Sequence, residues 1–132
     1  MSGTLYIVAT PIGNLGDMTL RGLETLKKVD RIVAEDTRVT AKLLARYEIK
    51  KPMVSLRARS GKGAYQHVVD LVESGESLAY VTDAGTPGVS DPGPLLVSMV
   101  RATCGEASII AIPGASALAA AISVAGVQTD EF

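Results

Sequence analysis

Leu78-Ala79-Tyr80-Val81-Thr82-Asp83-Ala84-Gly85-Thr86-Pro87-Gly88-Val89-Ser90-Asp91-Pro92-Gly93 is the stretch that decides the fold. Its first five residues are apolar or β-prone in a continuous run, which reads as a strand covered on both faces. A loop of glycine and proline follows. Asp91-Pro92 then opens a helix as N-cap and first-position proline, with Leu95, Leu96, Met99 and Val100 as its apolar side. Strand, glycine loop and helix in this order make the repeating unit of an open α/β sheet.

The same alternation runs outward in both directions. Leu5-Tyr6-Ile7-Val8-Ala9 reads as a strand that stops at Pro11, and Leu20, Leu23, Leu26 and Val29 recur at helical spacing. Arg31 to Glu35 is a second strand. Asp36 or Thr37 is available to cap a helix whose face carries Val39, Leu43, Leu44 and Tyr47. Met53 to Leu56 is a short third strand. A helix from about Ala64 to Glu73 follows, with Val68, Leu71 and Val72 on one side and Gly75 as its stop. Ile109 to Ile112 is a fifth strand, and Ser116 to about Val124 a last helix, apolar nearly all round. Five strands alternating with five helices predict an α/β domain on a mostly parallel five-stranded sheet flanked by helices.

The chain has 132 residues, enough for one domain with a real core, and nearly half of them are apolar. The expected organisation is one domain over residues 1–127, with 128–132 as the start of a connection to a second domain. Net charge is −1. There is no global basic field to hold nucleic acid, so an RNA partner needs a local basic patch or a further domain. Cys104 is alone and His67 is the only histidine, so no disulfide framework or metal site is expected. Cys104 reads as a small core residue and His67 as a surface helix position. The start lacks a basic region followed by an apolar stretch, and no apolar run reaches membrane-spanning length. The expected location is the cytoplasm.

In an open parallel sheet, ligands gather beyond the carboxyl ends of the strands. Three of those ends carry unusual loops: Thr10 to Asp17, Asp83 to Gly93, and Pro113 to Ala117. Glycine lets a ligand approach main-chain amides, and Pro11, Pro87 and Pro113 stiffen the turns. Glycine and proline also punctuate ordinary loops, but three such loops on one edge favour a site. No G-x-G-x-x-G and no glycine-lysine phosphate loop is present, so a nucleoside without phosphates fits better than a dinucleotide. Glu35 and Asp36, beside Arg38, read equally as a ribose-holding or basic pair and as a helix cap with a surface ion pair. Asp83, at a strand tip, is either a site carboxylate or a partner for the amides of its own turn. Arg57, Arg59 and Lys62 form a basic loop that either meets phosphate or is merely solvated.

These motifs resemble those of the ribosomal RNA small subunit methyltransferase I family, within the tetrapyrrole methylase superfamily. The likeness lies in Leu5 to Asp17, in Ala34-Glu35-Asp36-Thr37-Arg38 with Thr40 and Leu43-Leu44, in Val81 to Gly93, and in Ile112 to Ala117. It covers the whole chain. It implies the N-terminal domain of a class III methyltransferase fold, with S-adenosylmethionine held between two α/β domains, and commonly a homodimer. Cofactor contacts then fall on Pro11 and Gly13, on Asp83, Ala84, Gly85, Thr86 and Val89, and on Ser116 and Ala117. The implied reaction is methylation of the ribose 2′-hydroxyl of a cytidine in small-subunit ribosomal RNA. Asp83, Glu35 and Asp36 are the candidates for the base, and Arg38, Arg57, Arg59 and Lys62 for contact with the RNA. Where family members usually carry a His-Glu-His-Asn-Glu-like segment, this chain reads Leu56-Arg57-Ala58-Arg59-Ser60-Gly61-Lys62. Two alternatives remain open. One is a superfamily methyltransferase acting on a tetrapyrrole or other small molecule. The other is a non-catalytic cofactor-binding module.

Overall fold

A computed structural model describes residues 2–10, 18–57, 59–83 and 93–112. The elements are β1 (Leu5–Thr10), α1 (Leu20–Lys28), β2 (Arg31–Ala34), α2 (Thr37–Arg46), β3 (Met53–Ser55), α3 (Lys62–Glu73), β4 (Leu78–Asp83), α4 (Gly93–Cys104) and β5 (Ile109–Ile112). The last helix expected from the sequence, and the Asp91-Pro92 cap of α4, lie outside the described residues.

The five strands form one sheet in the order β3-β2-β4-β1-β5, and every described pairing is parallel. β4 is the centre. Its residues Leu78 to Asp83 run beside Leu5 to Thr10 of β1 on one side, and Leu78 to Val81 run beside Arg31 to Ala34 on the other.

Both faces of the sheet are packed. Leu5, Val33, Leu78 and Tyr80 point to one face, under Val68 and Val72 of α3 and Leu96 and Val100 of α4. Val8, Ile32, Ala79 and Val81 point to the other, under Leu26 of α1 and Leu44 of α2. Alternate residues of each strand therefore enter different cores, which is why the strands read as unbroken apolar runs.

Local chemistry sets the ends of the helices. Thr19 Oγ accepts the Gly22 N–H at 3.0 Å, capping α1. Gly22 is buried against Thr19, Met18 and Val8, so α1 lies close to β1 there. Gly75, at φ 107°, stops α3 in a conformation that costs glycine little. α2 ends on Glu48, whose φ is 56°. Its N–H bonds Ala45 O at 3.2 Å, and the Ile49 N–H bonds Leu44 O at 2.9 Å. That is a Schellman cap with glutamate where glycine is usual, closed by the packing of Ile49 and Leu44 in the core.

The elements differ from the sequence expectation mainly at their ends. β3 stops at Ser55 rather than Leu56, although the Leu56 N–H still bonds Ala34 O at 2.9 Å. α3 begins at Lys62, two residues early, with Gly61 as a cap that offers no side-chain bond. Two leucines assigned to apolar faces are exposed: Leu20 by 73% and Leu95 by 52%. Leu20 is the first residue of its helix, and the buried side of α1 is made instead by Gly22, Thr25 and Leu26. Cys104 is partly buried beside the α3–α4 core, and His67 is on the exposed side of α3.

Leu78→Ala should remove about 2–5 kcal/mol of unfolding free energy in urea titrations, because Leu78 is fully buried in the central strand. Leu20→Ala should change it by less than about 0.5 kcal/mol.

Candidate active site at the carboxyl edge of the sheet

β1 and β4 are neighbours, but their following helices cover opposite faces: α1 packs with α2, and α4 packs with α3. Such a switch opens a crevice between the two strand ends, on the carboxyl side. Thr10 and Asp83 are register partners at that point, each the last residue of its strand. Thr10 is buried.

The three glycine and proline segments follow β1, β4 and β5 in sequence. Those strands are consecutive in the sheet, in the order β4-β1-β5. Neighbouring strands lie about 4.8 Å apart, so the three loop origins span about 10 Å. Pro11, Gly13, Ala84, Gly85, Thr86, Val89, Ser116 and Ala117 all lie outside the described residues. The strands place only their points of departure.

On the other side of β4, β2 ends at Ala34 and delivers Glu35 and Asp36 to the same edge. Glu35 is exposed. Asp36 is the N-cap of α2, with φ −115°. Its Oδ1 accepts the Arg38 N–H at 3.0 Å and the Val39 N–H at 3.5 Å. The Arg38 guanidinium stands 3.6 Å from the same oxygen. The bond from the Arg38 amide holds the Asp36 carboxyl below the usual carboxylate range, and the Val39 amide and the charges of Arg38 and Arg57 act in the same direction against slight burial. Asp36 is thus committed to the helix, and of the two adjacent carboxylates Glu35 is the one not used as a cap.

β3 ends the row with a basic loop. The Arg57 N–H donates to Ser60 Oγ at 2.9 Å, and the Arg57 carbonyl accepts from the Ser60 N–H at 2.9 Å and from the buried Tyr65 hydroxyl at 3.3 Å. The backbone of Arg57 is therefore anchored while its side chain is exposed. Arg59 and Lys62 are exposed beside it, and Arg38 is 87% exposed. The motif reading picked out these four cations but passed over Lys42, Arg46, Lys50 and Lys51. The signal that finds them is the i, i+4 spacing of Arg38, Lys42 and Arg46 on an exposed helix face.

In sequence, the segments that follow the strands are basic after β3, acidic after β2 and glycine-rich after β4, β1 and β5, with Asp83 the last residue of β4. Among the described residues no group of His, Cys, Asp and Glu is arranged to hold a metal. No helix among them is long and apolar enough to cross a membrane.

The parallel sheet, covered on both faces and with its switch point between β1 and β4, defines a doubly wound α/β domain. The chain belongs to the tetrapyrrole (corrin/porphyrin) methylases, whose pattern it matches over residues 4–132. It is 53% identical over 132 residues to the ribosomal RNA small subunit methyltransferase I of Synechocystis sp., covering 98% of this chain and 46% of that protein. The enzyme of the same name from Neisseria meningitidis serogroup B is 50% identical over 134 residues, covering 100% of this chain and 45% of that protein. The chain therefore spans about half the length of these relatives. In fold it is similar to uroporphyrin-III-C-methyltransferase from Thermus thermophilus, with a TM-score of 0.63 and 22% identity over 86% of this chain and 48% of the other.

Asp36→Ala should lower the urea midpoint, and Asp36→Asn should keep most of it, since asparagine caps as well as aspartate. The folded carboxyl titrates below its unfolded value of 3.8. The stabilisation by Asp36 is therefore complete above that pH and disappears as pH falls through the folded value. The gap between wild type and Asp36→Ala should accordingly close in acid.

Proposed function

We propose that this chain supplies the N-terminal half of the cofactor cleft of an S-adenosylmethionine-dependent methyltransferase, which acts on the ribose 2′-hydroxyl of a cytidine in small-subunit ribosomal RNA. The observation that carries the reading is the order of groups along one sheet edge. The span of the loop origins on β4, β1 and β5 suits a nucleoside, and two carboxylate-bearing strand ends lie next to it. The carboxylates suit a cofactor that is itself cationic. The absence of a phosphate loop suits one without phosphates. The names of the relatives at 50–53% identity favour RNA over a tetrapyrrole as substrate.

In this reading Pro11, Gly13, Asp83 to Thr86, Val89, Ser116 and Ala117 hold the cofactor. A second α/β domain closes the cleft, and the assembly is a cytoplasmic homodimer. The bound cofactor supplies an electrophilic methyl group on sulfur. The chain's own task is to place the 2′-oxygen in line with that bond and to take its proton. Asp36 is committed to capping α2, which leaves Glu35 and Asp83 to take the proton. Asp36 positions Arg38 instead.

Calorimetric titration of S-adenosylmethionine and S-adenosylhomocysteine into the chain tests the cleft. Both should bind, and more tightly to a form extended to the length of the relatives. No binding by the extended form sinks the proposal. In that form, loss of the base through Glu35→Gln or Asp83→Asn should slow methyl transfer to small ribosomal subunits by about 10²–10⁴-fold. Normal turnover in both variants rules both residues out.

A further inference from the structure

The charge of the chain is segregated. Between Arg38 and Lys62 stand eight of its thirteen Lys and Arg residues, and only one of its fourteen Asp and Glu residues, Glu48. That stretch carries +7 and the remainder −8, which the net value of −1 conceals. The fold keeps the stretch together. It comprises α2, the edge strand β3 and the loop into α3, so the cations gather on one margin of the sheet.

Arg38, Lys42 and Arg46 line one side of α2, each exposed, over two turns or about 12 Å. Lys50 and Lys51 continue the line past the helix, turned there by the Schellman cap at Glu48. The Debye length at ordinary salt is about 10 Å, so neighbouring charges in the row act as one field. Among the described residues, Lys42, Arg46, Lys50 and Lys51 have no carboxylate within ion-pair distance. Alongside them runs an open groove of about 580 Å³, lined by the apolar Leu44, Ile49 and Met53 and the small Ala41 and Ala45, with Glu48 the one carboxylate in its lining. At its upper end the row starts at Arg38, whose Nε stands 3.6 Å from Asp36 Oδ1 just past the end of β2. It is therefore continuous with the carboxyl edge.

We infer that the outer face of α2 and the β3 margin form a docking track for the phosphate backbone of RNA, which leads the strand toward the carboxylates at the ends of β2 and β4. A row of five cations, four of them without a carboxylate partner among the described residues, matches a linear polyanion, and release of its counterions drives the association. The small walls and apolar floor of the groove leave room for an unstacked base beside the phosphates. An anionic membrane fits less well, because the exposed positions between the cations of α2 are Ala41 and Ala45 rather than large apolar anchors. The inference rests on the proposed ribosomal RNA substrate for its direction, but the track itself stands on charge and placement.

The test is fluorescence anisotropy of fluorescein-labelled single-stranded RNA titrated with the chain between about 50 and 200 mM salt. Lys42→Gln with Arg46→Gln should weaken binding on the order of tenfold and flatten the log–log salt slope by about 1.4, two contacts at 0.7 each. Glu48→Gln should tighten binding. Arg21→Gln with Lys27→Gln, the same change in charge on α1, should leave affinity and slope near wild type. Circular dichroism melts confirm that each variant folds. Equal weakening by the α1 pair overturns the track, as does unchanged binding in the α2 pair. Absence of RNA binding at low salt overturns it as well, including where the basic face instead binds phosphatidylserine vesicles or a second copy of the chain. Calorimetry with S-adenosylmethionine on the form extended to the length of the relatives, with and without the α2 pair of substitutions, separates the two proposals. RNA binding without cofactor binding sinks the methyltransferase reading and leaves the track standing. Cofactor binding without RNA binding does the reverse.

Discussion

Insertion of β4 between β1 and β2 is the constraint on which the rest depends. Those two strands are consecutive in the chain but not in the sheet. Until β4 arrives, some fifty residues later, their facing edges have unmatched amides and carbonyls, and burial without partners would cost each of them. Once it is in place, six residues pair on one side and four on the other, and every strand but β3 and β5 has two neighbours. The same insertion sends α1 and α4 to opposite faces, which puts a topological switch point at the ends of β1 and β4. Stability and the proposed site come from one topological event.

The two ends of the sheet are built differently. At the amino end the backbone is tied to itself. The Asp30 N–H bonds Ser77 O at 2.7 Å, the Ser77 N–H bonds Asp30 Oδ2 at 2.8 Å, and Arg31 Nε pairs with Glu76 Oε1 at 2.7 Å. Close by, a Cβ on Gly3 would run into the Glu76 carbonyl, so the chain is tight there as well. At the carboxyl end β1, β4 and β5 are followed in sequence by glycine, proline and other small residues, and β2 by two carboxylates. Asp36 illustrates the compromise at that end. Its charge caps a helix, and the cap holds Arg38 in place at the meeting point of the acidic and basic parts of the edge.

Charge follows the same division. A chain with almost no net charge can still present a strong local field if the fold gathers one sign. Here the gathering is largely local in sequence, since α2, β3 and the following loop are contiguous. The tertiary structure adds the direction: this contiguous stretch is the outer margin of the sheet, and its upper corner adjoins the end of β2.

Much of this was legible beforehand. Five apolar runs separated by helical periodicity pointed to a parallel sheet covered on both faces, because only two-sided burial makes such runs continuous. A cap at Asp36 or Thr37 and the Gly75 stop were readable, since both depend on chemistry within a few residues; the structure chose Asp36. Local pattern was a poorer guide at the ends of elements. Leu20 and Leu95 lie at helical spacing but are exposed, because burial depends on what lies opposite, and spacing along one helix says nothing of that. Strand order was beyond the sequence for the same reason. Nothing in Leu5 to Thr10 says that its neighbours are β4 and β5 rather than β2. The sequence by itself determined the kinds of element, their caps and the composition of three unusual loops. Only the tertiary structure decided that those loops leave three adjacent strands, with Thr10 beside Asp83, since that depends on parallel pairing between segments far apart in the chain.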